Sequence, residues 1–257
     1  MTALVAPALA ETPALVHYLP IASTAICIAF LAVLSARAIP RKWPPHLLWW
    51  AIGVSAYGLG TALESAVTLF GNTPELTRWW YWAGAILGGY PLATGTVYLL
   101  MPRRKAHVLT AISLVVVVAA SAAVLLTPLD ASKLEPHRPS GAVLEWQWVR
   151  LMTPFINGYA ALFLIGGAFY SSYKFLRKGD QPKRAAGTAL IAVGGILPGI
   201  GGSMAKGGIV EALYIGELIG IVLIWFGYEM CVRAPKFATD RAVERRGVAG
   251  PGKPASA

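Results

Sequence analysis

Residues 103–126 read RRKAHVLTAISLVVVVAASAAVLL, a cluster of cations followed by a run with no Asp, Glu, Lys or Arg before Asp130. The hydrocarbon core of a bilayer is about 30 Å thick, so about 20 apolar residues cross it at roughly 1.5 Å of helical rise each. Such a run can only be helical, because a backbone in lipid must satisfy its own hydrogen bonds. Working outward from this span (106–128), the stretches 17–38, 47–71, 78–101, 150–175, 185–205 and 209–232 carry the same pattern. The expected fold is all-α: a polytopic membrane protein built as a seven-transmembrane-helix bundle. Composition agrees. Of 257 residues 56% are hydrophobic and 13% are charged, with a mean hydropathy of +0.58, whereas a soluble domain carries roughly 25% charge. A soluble enzyme, a disordered chain and a nucleic-acid module are excluded on that ground.

The basic residues fix an expected orientation. Arg37, Arg41, Lys42, Arg103, Arg104, Lys105, Lys174, Arg177, Lys178, Lys183, Arg184 and the tail residues from Arg233 to Lys253 fall on one face. The other face or its helix ends receive only Arg78, Lys133, Arg138, Arg150 and Lys206. The crowded face is therefore read as cytoplasmic, with the N-terminus outside and the C-terminus inside. The net charge of +10 then serves topology and anionic lipid headgroups rather than nucleic acid. Residues 1–16 form an extracytoplasmic lead without the basic start of a signal peptide, 17–232 the helical domain, and 233–257 a basic cytoplasmic tail expected to be disordered. Trp79, Trp80, Tyr81, Trp82, Trp146 and Trp148 mark one membrane interface, and Trp43, Trp49, Trp50, Trp225 and Tyr228 the other.

Small residues four apart permit close helix contact, and Gly84 with Gly88, Gly195 with Gly199, and Gly216 with Gly220 have that spacing. They are expected to pack helices 3, 6 and 7 together; dimerisation through one of these faces is the alternative. Helices 2–3 and 6–7 also look alike: Gly58-Leu-Gly60 and Ala62-Leu-Glu64 lie beside Gly199-Ile-Gly201 and Ser203-Met-Ala205. With helix 4 as a connector, this admits a parallel 3+1+3 repeat. Pro91 and Pro198 should kink helices 3 and 6.

Charge at membrane depth carries the functional information, since each such residue costs at least about 2.5–3.5 kcal/mol near a helix centre. Glu64 lies about 10 Å from the outer end of helix 2 by helical rise, and Glu217 lies at a similar depth in helix 7. Lys206 and Glu211 flank the outer turn between helices 6 and 7, and Arg78 opens helix 3. The cluster reads either as an ion-pair network, such as Glu64 with Lys206, or as a polar pocket in which the two glutamates accept a proton or cation. Tyr90, with Tyr159, Asn157 and Thr153, adds polar lining. No catalytic set is visible: helix 7 lacks a lysine for a retinal Schiff base, and His17, His46, His107 and His137 sit at helix ends or in loops. No metal site or cofactor is expected, and Cys27 and Cys231 lie in apolar segments.

Gly53 to Met101 resembles the seven-helix sensory regions that bacteria place before histidine kinases, and stand-alone seven-helix bacterial proteins without an assigned activity. The resemblance rests on Trp49-Trp50 followed by Gly60-Thr-Ala-Leu-Glu64, and on Trp82-Ala-Gly84. About 25 residues follow helix 7, so the pattern of a fused output domain is not met. The resemblance implies a non-enzymatic, receptor-like or accessory-subunit protein of the bacterial inner membrane. It would bind a small or amphiphilic ligand, or a membrane partner, through the outer-leaflet cluster. A proton- or cation-coupled secondary transporter is the alternative.

Overall fold

The structure, a computed structural model, describes residues 15–136, 138–179 and 181–234. The lead before Leu15, His137 and the tail from residue 235, with its Lys236 and Lys253, lie outside the described residues. Among these there is no strand, only an isolated bridge between Leu129 and Leu144. Six helices are long and apolar enough to cross a membrane: Leu15–Arg41, Pro74–Leu100, Arg103–Leu126, Gln147–Lys178, Pro182–Lys206 and Glu211–Arg233. A further long helix, Pro45–Phe70, has 26 residues and is not among these six.

Helix α1 (Leu19–Ala38) buries Pro20, Ser23, Cys27, Phe30, Leu34 and Ala38, a stripe at three- and four-residue spacing that places one helical face inward. Helix α2 (Pro45–Phe70) buries residues on several sides, from Leu47 and Trp50 to Thr61, Glu64 and Val67. It packs between α1 and the third long helix. One stripe of α2, Leu48, Ile52, Ser55 and Leu59, is exposed, while Gly53, Gly60, Thr61, Glu64 and Ser65 lie on its buried sides, where a polar group is sheltered from lipid.

The third long helix is not uniform. Its first piece, α3 (Pro74–Trp80), is capped by the Thr73 hydroxyl, which accepts from Leu76 N at 3.1 Å. A π-helical segment, Tyr81–Leu87, follows. The chain then restarts as α4 (Tyr90–Leu100), with Pro91 in its first turn. Proline has no N–H to give the preceding turn, so the wider π turn and the bend at Gly88–Gly89 absorb the break. The fifth long helix behaves alike, with α6 (Gln147–Ala160), a π segment at Ala161–Gly166, and α7 (Gly167–Lys178). Between them α5 (Arg103–Leu126) exposes Val108, Ile112, Val115, Val118 and Leu126, the surface expected of a helix facing hydrocarbon.

Helices α8 (Pro182–Lys206) and α9 (Glu211–Arg233) form the closest antiparallel pair. A Cβ on Gly187 would strike the Gly227 carbonyl at 2.7 Å, one on Gly194 the Gly220 carbonyl at 2.6 Å, and one on Gly201 the Ala212 carbonyl at 2.5 Å. Gly216 faces the Leu197 carbonyl at 2.7 Å in the same way. The expected packing set thus needs correcting. Gly216 and Gly220 lie in this contact, but a Cβ on Gly199 would meet nothing within 4 Å, and Gly195 faces Leu164 and Ile165 instead. Gly84 receives the close approach of Gly60, and Gly88 is fixed by the carbonyl of Gly84 in its own helix. Pro198 lies inside an unbroken α8 and packs against Gly220.

The segment between α5 and α6 is a folded cap. Val143 and Leu144 are fully buried, and the ring of Tyr81 occupies the space beside Gly141. Two side chains from the bundle end and one of its own tie it down. Asn72 donates to the carbonyls of Glu135 and Arg138 at 2.7 and 3.0 Å, and Arg78 donates to Thr127 O at 2.6 Å. Arg138 donates to Ala205 O at 2.5 Å and pairs with Glu135. This end of the bundle is called the cap end below, and the opposite one the basic end.

Candidate functional site

At the cap end α2, α3 and α9 converge on Glu64. Only 1% of this residue is exposed. Trp80, at the last turn of α3, donates its indole N–H to Glu64 Oε1 at 2.7 Å. From α9, the carboxyl group of Glu217 faces that of Glu64 within hydrogen-bonding reach. Glu64 Oε2 and Glu217 Oε2 are both buried, and neither receives a hydrogen bond. The site is thus a pair of carboxyl groups from helices far apart in sequence, held face to face with one indole donor.

Local sequence explains the placement. Tyr57 lies two helical turns before Glu64, on the same face of α2, and donates its hydroxyl to the Glu217 carbonyl at 2.8 Å. That bond fixes the height of α9 against α2. Tyr214, three residues before Glu217 and so on its face, is buried with its ring 5.5 Å from that of His17. Beneath the pair, Thr24 and Thr61 share a hydrogen bond of 2.9 Å between α1 and α2. Gly60 allows the backbones of α2 and the π segment to approach at Gly84, 3.6 Å from where a Cβ would lie, which brings Trp80 within reach of Glu64.

The other candidate residues are placed elsewhere. Lys206 and Glu211 are exposed at the α8–α9 turn, and neither forms an ion pair among the described residues. The expected Glu64–Lys206 bridge is therefore corrected: Lys206 ends α8 pointing into the medium, while Glu64 points into the bundle. Glu211 instead occupies the first turn of α9, where the helix dipole favours an acid. Arg78 is spent on the cap through Thr127. Tyr90 belongs to a second polar cluster, bonding Ser113 of α5 at 3.0 Å and lying against Trp49 and Tyr159. Thr153 bonds Tyr81 at 2.7 Å, and Asn157 is exposed.

Three participants were missed in the sequence. Trp80 reads as one more interfacial aromatic among its neighbours, and nothing in its spacing marks it as a donor. Tyr57 and Tyr214 could have been found from their heptad and three-residue spacing to the two glutamates. A further polar system at the basic end was also overlooked. Arg37 of α1 donates to Glu229 of α9 at 2.9 Å, Arg233 donates to the same oxygen at 2.8 Å, and the Arg37 guanidinium lies 5.2 Å from the Tyr228 ring centre.

Among the described residues no group of three or more His, Cys, Asp or Glu side chains is arranged to hold a metal ion. Compared with known proteins, the chain matches no family model, no curated protein and no solved structure. The functional reading rests on the chemistry of the site alone.

Proposed function

We propose that the chain is a seven-helix integral protein of the bacterial inner membrane, N-terminus outside and C-terminus cytoplasmic, of receptor-like or accessory-subunit type. In this reading α2 is the seventh span, with Leu48, Ile52 and Leu59 toward lipid and Glu64 toward the bundle. The cap-end cluster around Glu64 and Glu217 is the centre at which it binds a small or amphiphilic ligand or a membrane partner. The observation that carries this is the buried carboxyl pair without a neutralising cation. Burying such groups is costly, and a bundle gains nothing structurally from two acids where two apolar side chains would pack.

Purification in mild detergent, followed by analysis of what remains bound, tests the proposal. A lipid, small molecule or protein should be retained by the wild type and lost from folded Glu64→Gln. Retention by that variant would move the binding site elsewhere. Reporter fusions after Ser140 and Gly250 should report opposite sides of the membrane, and agreement between them would remove the topology.

A proton- or cation-coupled transporter is the second reading, favoured by irregular backbone beside the pair. The π segment begins immediately after Trp80, and interrupted helices are a recurrent way of building transport sites. Proteoliposome uptake that responds to a proton gradient would select it over the first.

A further inference from the structure

We propose that the resident ligand of this centre is a proton shared between the carboxyl groups of Glu64 and Glu217, and that it acts as the clasp between α2 and α9. The inference rests on the reading of the Glu64–Glu217 cluster as the functional centre of a membrane-spanning bundle.

The geometry favours a proton over a metal cation. A hard cation such as Ca²⁺ asks for about 6–8 oxygen ligands. Here the oxygens in reach are those of the two carboxyls, since the Tyr57 hydroxyl is already committed to the Glu217 carbonyl. No third acid joins them among the described residues. A proton needs only two acceptors, and each of the two adjoining carboxyls has a buried oxygen that lacks a donor. Like carboxyl groups at such range cannot both be ionised at low cost, and a shared proton satisfies both orphan oxygens at once.

The surroundings offer little to replace it. Facing the pair are Cys27 from α1, Tyr57 from α2, Trp80 from α3 and Tyr214 from α9, with Glu211 and Arg138 of the cap beyond them, near Tyr214. His17 lies against Tyr214. From α8 the neighbours of α9 at this height are Leu197 and Pro198. The one permanent cation in this set, Arg138, is held by Glu135 and the Ala205 carbonyl. Release of the proton to water takes the pair from one negative charge to two, with no counter-charge in contact. The two carboxylates then repel across the α2–α9 seam. Because α9 is locked to α8 by glycine-to-carbonyl contact, the hairpin yields as a unit and strains the Tyr57 bond to Glu217.

Infrared spectroscopy of the purified full chain, recorded across pH, tests this directly. The wild type should show the C=O stretch of a protonated carboxylic acid at neutral pH, disappearing as the pH is raised. Thermal stability should fall over the same interval. Glu64→Gln and Glu217→Gln should each alter that band, since the proton belongs to both residues, and each should flatten the pH response, because a carboxamide N–H replaces the shared proton. Absence of the band from folded wild type would overturn the proposal, and needs no variant. A band changed by only one of the two substitutions would also overturn it, placing the proton on a single residue. Ligand retention measured on the same preparations separates the two readings. The band without a retained ligand keeps the proton clasp and removes the receptor, and a retained ligand without the band does the reverse.

Discussion

Glu229, near the basic end of α9, sits between the guanidinium groups of Arg37 and Arg233 at 2.9 and 2.8 Å. Glu217, earlier on the same helix, sits against another carboxyl group and no cation. Both acids face the partner helices of α9, so the difference is one of pairing and not of position in the chain. At the basic end the charge is neutralised, hydrogen-bonded and partly exposed, with side-chain exposures of 24% for Arg37 and 16% for Glu229. Such a pair ties α1 to α9. At the cap end Glu64 is only 1% exposed, and neither acid has a cation partner among the described residues. A tie holds at any proton concentration near neutrality, whereas a carboxyl pair holds only while a proton or ligand occupies it. One helix thus carries a fixed joint at one end and a conditional one at the other.

The glycine seam between α8 and α9 underlies both, and breaking it should have the largest effect. In Gly216→Leu the new side chain meets the Leu197 carbonyl, 2.7 Å from the Cβ position. Backbone cannot move aside as a flexible side chain does, so the loss should reach the upper part of the overpacking range of about 1–3 kcal/mol. Gly199→Leu, in the same helix pair but with nothing within 4 Å, should be nearly neutral. Thermal unfolding in detergent compares the two, and equal losses would mean that the seam is not where α9 is held.

The next effect separates the two ends. Glu229→Gln leaves Arg37 facing a neutral group and should cost about 1.5–3 kcal/mol, the usual worth of a hydrogen bond to a charged partner. Arg233→Ala should cost only about 0.2–1 kcal/mol, since that side chain is an exposed partner. Thermal unfolding of both variants at constant pH checks the order.

Much of this architecture was legible beforehand, for a physical reason. The long helices announce themselves by uninterrupted apolar composition, and the bounds of α5, α8 and α9 follow from Arg103, Pro182 and Arg233, where charge or proline meets the run. Depth along each helix put Glu64 and Glu217 at one level, because rise per residue is nearly constant. Rotation about the helix axis was not legible. Helix α8 has glycines at 187, 194, 195, 199, 201 and 202, and small-residue spacing cannot say which of them meets α9. The same ambiguity suggested Lys206 as a partner for Glu64 and hid Trp80 among its aromatic neighbours. The π segments at Tyr81–Leu87 and Ala161–Gly166 were not legible either, since they shift the helical phase without any residue type that marks them.

The cap-end pair should respond with the opposite sign to Glu229. Glu64→Gln keeps the shape, still accepts from Trp80 through its carbonyl, and presents an N–H to Glu217. Its effect on thermal stability near neutral pH should stay within about 0.5 kcal/mol and become stabilising as the pH rises. A loss as large as that of Glu229→Gln would make Glu64 a structural tie, and the contrast between the two ends of α9 would disappear.

The smallest expected effect belongs to a third kind of acid, one whose cation is half exposed to solvent. Asp130 opens the cap, accepting from the Ser132 hydroxyl at 2.5 Å and the Ser132 N–H at 3.0 Å, with Lys133 at 3.0 Å. The Ser132 hydroxyl, then Lys133, then the Ser132 N–H hold its carboxyl below the usual aspartate range. The folded state therefore binds this proton less readily than the unfolded chain. The resulting stabilisation is complete above the unfolded aspartate value of roughly 3.9, and is lost as pH falls through the lower folded value. Solvent reaches the pair through the half-exposed Lys133, so the gain is slight and salt-sensitive. Asp130→Asn should melt marginally below the wild type at neutral pH and low salt, and the gap should close on acidification and on adding salt. A gap that widened with acid would reverse the sign of the coupling. A gap as large as that of Glu229→Gln would show that the cap, and not the ion pair at the basic end, is the more firmly held of the two.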